Sequence, residues 1–339
     1  MKIGIFSKHP NQMASSLSDR LKKLGVDCFS FNMNLSEKDQ TGFTEDSMSW
    51  NEIDLNSLDK AIIYDYEYMD PIVPSAVQMT DWSQWQDSFL KEQQTYSFWF
   101  SLFCEMDRRG VKLYNPPRAY LDDFMKYHLL ETIKSNGVSV PDIICSNSID
   151  DVNEFCSKHP QTVWRPVSGK AGWQLFKDKQ KNYLVATDKP PIMVAEIVEG
   201  SLLRGYMLAG KPLMCLDYMA PTQFPNESLE KYRCVNPDFL SHAVKTIQQS
   251  THVEWGQLTV VANENNVFVY DIDTFPCYQS LPKELFEYFN TCLSYHLAGQ
   301  QDKLDSVSLP EGYTERSTIF TRRMLDILYE FEQSKYSET

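Results

Sequence analysis

The first 116 residues alternate short apolar runs with helical stretches, and this alternation constrains the fold more than any other feature. MKIGIF comes first, an amphipathic stretch follows from Met13 to Leu24, and a second apolar run covers Val26 to Phe31. A third run, LDKAIIYDYEY, precedes a long helical pattern that ends at Gly110, and VKLYNPP supplies a fourth strand. Strands that alternate with helices form parallel sheets with crossover helices. Residues 1–116 are therefore predicted to form an α/β domain.

The loop after the first apolar run argues against one common use of such a domain. SKHPNQMAS contains no glycine, whereas dinucleotide-binding loops at this position need glycines to let the backbone approach the phosphates. The residues that carry chemistry are therefore expected later in the chain.

Charge and composition narrow the class of partner. The chain has 339 residues, 42% of them hydrophobic, and a formal net charge of −14. Such a chain can bury a large core, and its acidity disfavours binding to nucleic acid or to an anionic membrane. No apolar run approaches the roughly 20 residues of a membrane span, and MKIGIFSKHP lacks the pattern of a signal peptide. The eight cysteines form no CxxC pair, which predicts buried, reduced thiols in a cytoplasmic protein.

The rest of the chain mixes helical and strand patterns. A helix is predicted from about Leu121 to Asn136, stopped by Gly137, and a second one after the capping residue Ser148. TVWRPVSGKAGWQLF predicts two strands joined by a glycine turn, and PIMVAEIVEG predicts another strand. LLRGYMLAGKPLMCLDYM, with its turn at Ala209 to Lys211, and GQLTVVANENNVFVYDID each predict a hairpin, and the last ~55 residues are predicted to be helical.

Two acids interrupt the apolar strand VFVYDIDTFP, residues 267–276. Successive side chains of a strand point to opposite faces, so Asp271 and Asp273 share one face. Two carboxylates at this spacing repel each other, and a divalent cation such as Mg²⁺ would stabilise the pair. The alternative is a strand end at the surface, where both acids face solvent and Pro276 ends the strand.

The order of these segments resembles the ATP-grasp superfamily, and within it the RimK-like and glutathione-synthetase-like carboxylate–amine ligases. The resemblance rests on YNPPRAYLDDFMKYHLLETIKSNGVSVP, VWRPVSGKAG, VAEIVEG, LLRGYMLAGKPL and VYDIDTFP. It implies an α/β fold with an N-terminal parallel domain at 1–116, an ATP-grasp small lobe at 117–195 and a large lobe with the metal strand at 196–285. Residues 286–339 would form a helical extension.

The resemblance also implies roles for individual residues. Nucleotide contacts would come from one helix, from a strand with its loop, and from a hinge whose backbone reads the adenine edge; these residues are Lys126, Arg165, Ser168, Gly169, Lys170, Glu196, Ile197 and Val198. Arg204 would contact the transferring phosphate as the catalytic residue, and Asp271 and Asp273 would hold the metal. The implied cofactors are ATP and Mg²⁺. ATP carries about four negative charges, so a site with several cations and a divalent metal suits it.

Several positions depart from the pattern of the family. Arg165 stands where a lysine is usual, Leu202 where an acid would hold the ribose, and Thr259 where a carboxylate would help to hold metal. The arginine keeps the positive charge. The other two substitutions are expected to weaken nucleotide and metal binding, which Asp273, in place of the usual asparagine, would partly restore.

The function that the resemblance implies is the ATP-dependent joining of a carboxylate to an amine through an acylphosphate, on a small-molecule or peptide substrate. Two alternatives stay open: an ATP-grasp kinase for a small molecule, and a nucleotide- or peptide-binding scaffold without catalysis. The aromatic run YSFWFSLF at 96–103 predicts a buried helix face, although the same residues would suit a homodimer interface.

Overall fold

The computed structural model describes ten segments: residues 1–8, 11–36, 38–64, 82–167, 172–177, 190–221, 233–264, 266–276, 278 and 281–310. The predicted nucleotide loop at Ser168, Gly169 and Lys170 lies outside the described residues, as does the helical pattern after residue 310. The described part contains two four-stranded sheets, one five-stranded sheet and a small sheet of three strands.

The N-terminal region folds as its alternating pattern predicts. Four strands form its sheet: β1 (Lys2–Ser7), β2 (Asp27–Asn32), β6 (Lys60–Ile63) and β7 (Lys112–Tyr114). Their order is β2-β1-β6-β7, and all three pairs of neighbours are parallel. The two helices of this region are α1 (Gln12–Lys23), which the side chain of Asn11 caps, and α2 (Trp82–Arg108). The predicted parallel sheet with α/β character is confirmed.

A small antiparallel sheet in this region has no counterpart in the sequence prediction. It consists of β3 (Thr41–Phe43), β4 (Met48–Trp50) and β5 (Ile53–Asp54). Met48 and Trp50 are buried while Ser49 between them is exposed. An alternation of three residues is too short to distinguish a strand from a loop, so the sequence pattern gave no signal.

The aromatic run of α2 packs into the N-terminal core. Trp99, Leu102 and Phe103 are each 0% exposed, and Trp99 stacks on Trp50 with ring centres 5.1 Å apart. The prediction of a buried helix face is confirmed at these three positions. Cys104 beside them is exposed, so the expectation that the thiols are buried is wrong at this cysteine.

The helix predicted at 121–136 is two helices. α3 (Pro117–Phe124) ends at Met125, whose φ of −91° and ψ of 56° leave the helical region, and α4 (Lys126–Ser135) begins at the next residue. Apolar periodicity continues through this break, which is why the sequence predicts one helix. The break places Lys126 in the first turn of α4, close to Asp123 at the end of α3.

The middle of the chain forms an antiparallel sheet. Its strands are β8 (Ile143–Ser146), β9 (Thr162–Pro166), β10 (Gln174–Leu175) and β11 (Ile192–Glu196), in the order β10-β9-β11-β8. α5 (Ile149–Lys158) packs against one face through Val152. The side chain of Ser148 accepts a hydrogen bond from the Asp151 amide, so the predicted cap is confirmed.

A five-stranded antiparallel sheet follows. It contains β12 (Ser201–Leu208), β13 (Lys211–Pro221), β14 (Arg233–Val235), β15 (Trp255–Ala262) and β16 (Val267–Asp273), in the order β14-β13-β12-β15-β16. Both predicted hairpins are present, β12 with β13 and β15 with β16. Ala209 and Gly210 turn the first with φ of 49° and 73°, the positive values that a tight hairpin turn needs. α6 (Ser241–Ser250) buries Ala243, Val244 and Ile247 in the core that this sheet shares.

The last described helices pack between the N-terminal region and the five-stranded sheet. α7 (Lys283–Leu297) and the short α8 (Gln301–Asp305) follow the five-stranded sheet. Leu285 and Phe289 of α7 share one apolar core with Leu17 of α1 and Trp255 of β15. The predicted domain boundary at residue 286 therefore falls inside a core helix. Among the described helices, none has the length and apolar character of a membrane span.

Candidate nucleotide and metal site

The strand that carries the predicted metal ligands contains a β-bulge. Val269 pairs with Val260 and Asp271 pairs with Thr259, which leaves Tyr270 as the extra residue of β16. A bulge re-aims the side chains beside it and often lies next to a functional site. Asp271 and Asp273 are both partly exposed on either side of the buried Ile272, as a shared face requires.

Two of the predicted site residues share a row across the sheet. Arg204 on β12 pairs with Thr259 on β15, and Thr259 pairs in turn with Asp271 on β16. Side chains that are directly opposite lie on the same face of a sheet. With strands about 4.8 Å apart, the backbones of Arg204 and Asp271 are roughly 10 Å apart.

Lys126 and Arg165 meet at the carboxylate of Asp271. Arg165 Nη1 lies 2.7 Å from Asp271 Oδ2, and Lys126 Nζ lies 2.9 Å from Asp271 Oδ1. Lys126 also pairs with Asp123 Oδ1 at 2.7 Å and donates to the backbone carbonyl of Ile272. Arg165 is 1% exposed and Lys126 3%. Residues from α3, α4, β9 and β16 thus form one buried ion cluster, defined here as Asp123, Lys126, Arg165 and Asp271.

Opposite charges outweigh the cost of burial within this ion cluster. Burial raises the pKa of Asp271, but Arg165 and Lys126 together lower it to about 2. Burial lowers the pKa of Lys126, but Asp123 and Asp271 leave it above its usual value. The pKa of Asp123 is raised, mainly by burial and in part by Asp273 and Asp271. Lys126 and Asp271 therefore carry full charges at neutral pH.

The two predicted metal ligands have the donor chemistry that Mg²⁺ requires. Magnesium is commonly held by one or two carboxylates together with substrate phosphates, and Asp271 and Asp273 provide two carboxylates on one face. Asp273 Oδ1 accepts a hydrogen bond from the Phe275 amide at 2.9 Å. Asp271 already contacts Arg165 and Lys126, so a metal there would share this carboxylate with both cations. The residues fit the ion, with Asp273 the less engaged of the two.

The hinge predicted to read adenine contacts a side chain of the protein itself. The Val198 amide donates to the Tyr270 hydroxyl at 2.9 Å, and this hydroxyl donates to the Glu196 carbonyl at 2.9 Å. The amide of Ile197, the remaining predicted hinge residue, donates to the Gln161 carbonyl at 2.9 Å. Tyr270 is 0% exposed. One phenolic hydroxyl thus satisfies both an amide and a carbonyl of the hinge.

Trp173 connects the hinge contact to the ion cluster. Its Nε1 donates to the backbone carbonyl of Tyr270 at 2.9 Å, and its ring meets the Tyr270 ring edge-on with centres 6.3 Å apart. The guanidinium carbon of Arg165 lies 5.7 Å from the centre of the Trp173 ring, within cation–π range. Trp173, the residue before β10, therefore contacts both Tyr270 and Arg165.

A second group of potential metal ligands lies beside the hinge. Ligand atoms of Asp142, His159 and Glu196 are all within 4.8 Å of one another, and His159 Nδ1 is 3.2 Å from Glu196 Oε2. Asp142 is 61% exposed and lies 3.6 Å from Lys134. Exposed acids that pair with a lysine and a histidine are common on protein surfaces without a metal, so this group is interpreted as a surface ion-pair network.

The fold is shared with solved ligases. No protein-family model and no curated protein matches the sequence. The macrocyclase MdnC from Microcystis aeruginosa MRC, bound with the precursor peptide MdnA, is 10% identical with a TM-score of 0.69 over 88% of this chain and 99% of that one. An ATP-grasp ligase from Chryseobacterium gregarium, in complex with ADP and a leader and core peptide, is 13% identical with a TM-score of 0.67 over 94% and 99%. The chain has the ATP-grasp fold. The ATP-grasp ligase PsnB, with minimal precursor, Mg and ADP, is 15% identical with a TM-score of 0.66 over 82% and 91%.

The ATP-grasp fold places the ion cluster between two sheets. Arg165 lies on β9 of the β8–β11 sheet, Asp271 lies on β16 of the five-stranded sheet, and Lys126 lies on α4, which packs against β16. Arg204 shares the row of Asp271, while Ser168, Gly169 and Lys170 lie outside the described residues. Sequence reasoning missed Asp123, Tyr270 and the contact that Trp173 makes. The spacing of Asp123 and Lys126, three residues apart, was the one signal that could have indicated a pair.

Two of the departures from the ATP-grasp pattern, Leu202 and Thr259, have different surroundings. Leu202 is 3% exposed and packs in the apolar core of the two sheets, so it offers no group to a ribose. Thr259 is partly exposed directly opposite Asp271, where a hydroxyl replaces the expected carboxylate. The site beside Asp271 therefore carries one negative charge fewer than it would with a carboxylate at position 259.

Proposed function

We propose that this chain is an ATP- and Mg²⁺-dependent ligase that joins a carboxylate to an amine through an acylphosphate. The observation that carries the proposal is the ion cluster, in which two buried cations, one on α4 and one on β9, converge on the carboxylate of Asp271 on β16. Buried ion pairs are poor sources of net stability compared with apolar packing. A function that needs fixed positive charges at this place explains why the cluster exists.

The first step of the proposed reaction is phosphoryl transfer. A carboxylate oxygen of the substrate bonds to the γ-phosphorus, the bond from this phosphorus to the β–γ bridging oxygen breaks, and ADP leaves. Lys126 and Arg165 would neutralise phosphate oxygens, and Arg204 would stabilise the charge of the transferring group. Asp271 and Asp273 would hold Mg²⁺, which supplies further charge neutralisation when bound.

The second step forms the amide. The amine nitrogen attacks the acyl carbon, the bond from this carbon to the phosphate oxygen breaks, and the nitrogen loses a proton as phosphate leaves. Arg204 is partly exposed and shares a row of the sheet with Thr259 and Asp271. A guanidinium there would stabilise the tetrahedral intermediate through its planar donors.

The proposed substrate is a peptide. MdnC, PsnB and the Chryseobacterium ligase are each described in complex with a precursor, leader or core peptide. These proteins share the fold over 82–94% of this chain. A carboxylate side chain of a peptide as phosphoryl acceptor is therefore the substrate class to examine first.

A second candidate function, a binding scaffold without catalysis, is favoured by a specific observation. Both oxygens of the Asp271 carboxylate already contact cations, and the hinge groups at Glu196 and Val198 contact Tyr270. A scaffold would keep these internal contacts and consume no ATP.

Trapping of an acyl intermediate distinguishes the two candidates. The protein is incubated with Mg·ATP, an acidic peptide and hydroxylamine, and ADP and peptide hydroxamate are measured by mass spectrometry. The ligase yields both products, and Arg204→Ala abolishes them. The matched control is Arg118→Ala, which removes an arginine that is 56% exposed and should leave both yields unchanged. Absence of ADP and hydroxamate across a panel of acidic peptides and amino acids would support the scaffold and contradict the ligase.

A further inference from the structure

The backbone groups of the hinge have a chemistry that can tell two purine bases apart. An amide donor next to a carbonyl acceptor complements the acceptor N1 and the donor amino group of adenine. Guanine presents a donor at N1 and an acceptor oxygen, the reverse order, and would leave both hinge groups unpaired. Sites built to hydrogen-bond one pattern reject an analogue that lacks it, because buried polar groups then have no partner.

In this chain the amide and the carbonyl of the hinge both form hydrogen bonds with the Tyr270 hydroxyl. The Val198 amide and the Glu196 carbonyl each lie 2.9 Å from the Tyr270 hydroxyl, which donates to one and accepts from the other. This is the same donor and acceptor order that the edge of adenine would supply. The phenol thus takes the place of the base edge in the hydrogen-bonding pattern of the hinge.

Tyr270 is also held firmly in this position. It is the extra residue of the β16 bulge and is 0% exposed. Trp173 Nε1 donates to its backbone carbonyl at 2.9 Å, and the indole packs edge-on against its ring. Releasing the hinge would require the buried ring to leave two hydrogen bonds and an aromatic contact together.

We propose that Tyr270 is a specificity-determining residue that makes the nucleotide site insensitive to the identity of the purine. Because its hydroxyl holds the hinge groups, a nucleoside triphosphate binds through its phosphates to Lys126, Arg165 and Arg204, and ATP and GTP bind with similar affinity. This inference rests on the proposed function, since it requires a triphosphate at the ion cluster.

The test compares ATP with GTP on three proteins. Dissociation constants for Mg·ATP and Mg·GTP are measured by calorimetry on the parent, on Tyr270→Phe and on Tyr288→Phe. Tyr288 is the matched control, because its hydroxyl also donates to a backbone carbonyl, that of Leu213 at 3.0 Å, on the face of α7. The ratio of the affinity for ATP to the affinity for GTP shows whether Tyr270 controls the selectivity between the two purines.

The parent is expected to bind the two nucleotides within about threefold of each other, as is Tyr288→Phe. Tyr270→Phe frees two hinge hydrogen bonds for adenine and should raise the ratio to about tenfold or more in favour of ATP. Trp173→Phe, which removes the bond to the Tyr270 carbonyl, should move the ratio in the same direction by less. This second variant keeps the test open if Tyr270→Phe fails to fold.

The two proposals fail in distinguishable ways. A parent that already prefers ATP more than tenfold, or variants that bind nucleotide with an unchanged ratio, overturn the role of Tyr270 and leave the ligase proposal intact. Absence of binding by either nucleotide to every protein overturns the proposed function and the inference with it.

Discussion

The apolar core around α1 and the two cations of the ion cluster are equally well buried but are held together by different forces. Ile3, Ile5 and Leu17 are at most 1% exposed and gain stability roughly in proportion to the apolar area that they bury. Arg165 and Lys126 are as inaccessible, but their stability depends on the carboxylates of Asp123 and Asp271, which they contact. An apolar core tolerates partial losses, whereas a buried ion cluster loses most of its benefit when one member is removed. This difference is why the ion cluster, rather than the apolar core, carries the proposed function.

The largest expected effect is on Arg165. Arg165→Ala removes a cation that lies 2.7 Å from the Asp271 carboxylate and is 1% exposed. Breaking a buried ion pair by removing one partner costs about 3–5 kcal/mol, so the urea midpoint of unfolding should fall steeply. Arg118→Ala removes an arginine that is 56% exposed and lies 3.6 Å from Asp122, and should lower the midpoint less. Equal midpoints for the two variants would show that the cluster is not a stabilising unit.

An apolar substitution in the core around α1 tests the contrast between apolar packing and the ion cluster. Leu17→Ala on α1 empties part of a site that is 0% exposed and should cost about 2–5 kcal/mol. Nucleotide affinity should be unchanged where the protein remains folded, because Leu17 packs in the apolar core that α1 shares with α7. Leu90→Ala, at a leucine that is 54% exposed, is the control for both measurements. A loss of nucleotide affinity in Leu17→Ala would mean that the two regions are coupled.

The predicted metal ligands should affect turnover, and for Asp273, which is not a member of the ion cluster, the effect on turnover should exceed the effect on stability. Asp271→Asn and Asp273→Asn are each expected to lower Mg²⁺-dependent ATP turnover tenfold or more, about 1.4 kcal/mol. Asp273→Asn is the cleaner variant, since an asparagine can still accept the Phe275 amide that Asp273 Oδ1 accepts now. Asp54→Asn is the matched control, because Asp54 accepts from the amide two residues later in the same way. Unchanged turnover in both site variants would remove the metal assignment.

The smallest expected effect concerns pH and a histidine near the N-terminal sheet. Burial, together with nearby Lys60, lowers the pKa of His296 from 6.5 to about 4. The unfolded chain therefore takes up a proton first, and stability is lost as the pH falls from about 6.5 towards 4. At pH 5.5 the loss is about 1 kcal/mol. Urea unfolding from pH 7 to pH 5 should show it, and His296→Gln should remove the part of the slope that this histidine contributes. A slope identical in the variant would assign the pH dependence to other groups.

The N-terminal region and the ion cluster also differ in how much of their structure the sequence predicts. The strands β1, β2 and β6 were predictable because their apolar runs are long enough to show a period, and their parallel order follows from the helices between them. The strands β3, β4 and β5 are too short for any pattern, and the break at Met125 lies within continuous apolar periodicity.

At the site, sequence motifs identified residues but not their contacts. Lys126 and Arg165 were assigned through the family resemblance, and Asp271 also through strand alternation, as separate ligands of phosphate and metal. That they bind one another depends on how two sheets pack, which no local pattern contains. The Tyr270 contact follows from a bulge, because one extra residue changes the direction of a side chain without changing the composition of the strand.

Nucleotide binding at Arg165 tests the central claim most directly. Mg·ATP is titrated by calorimetry into the parent, Arg165→Lys, Arg165→Ala and the control Arg118→Ala, with folding of each confirmed by circular dichroism. If the ion cluster is a phosphate site, Arg165→Lys keeps the charge and binds ATP, Arg118→Ala binds like the parent, and Arg165→Ala loses binding. An Arg165→Ala variant that is folded and binds Mg·ATP as tightly as the parent would contradict the account.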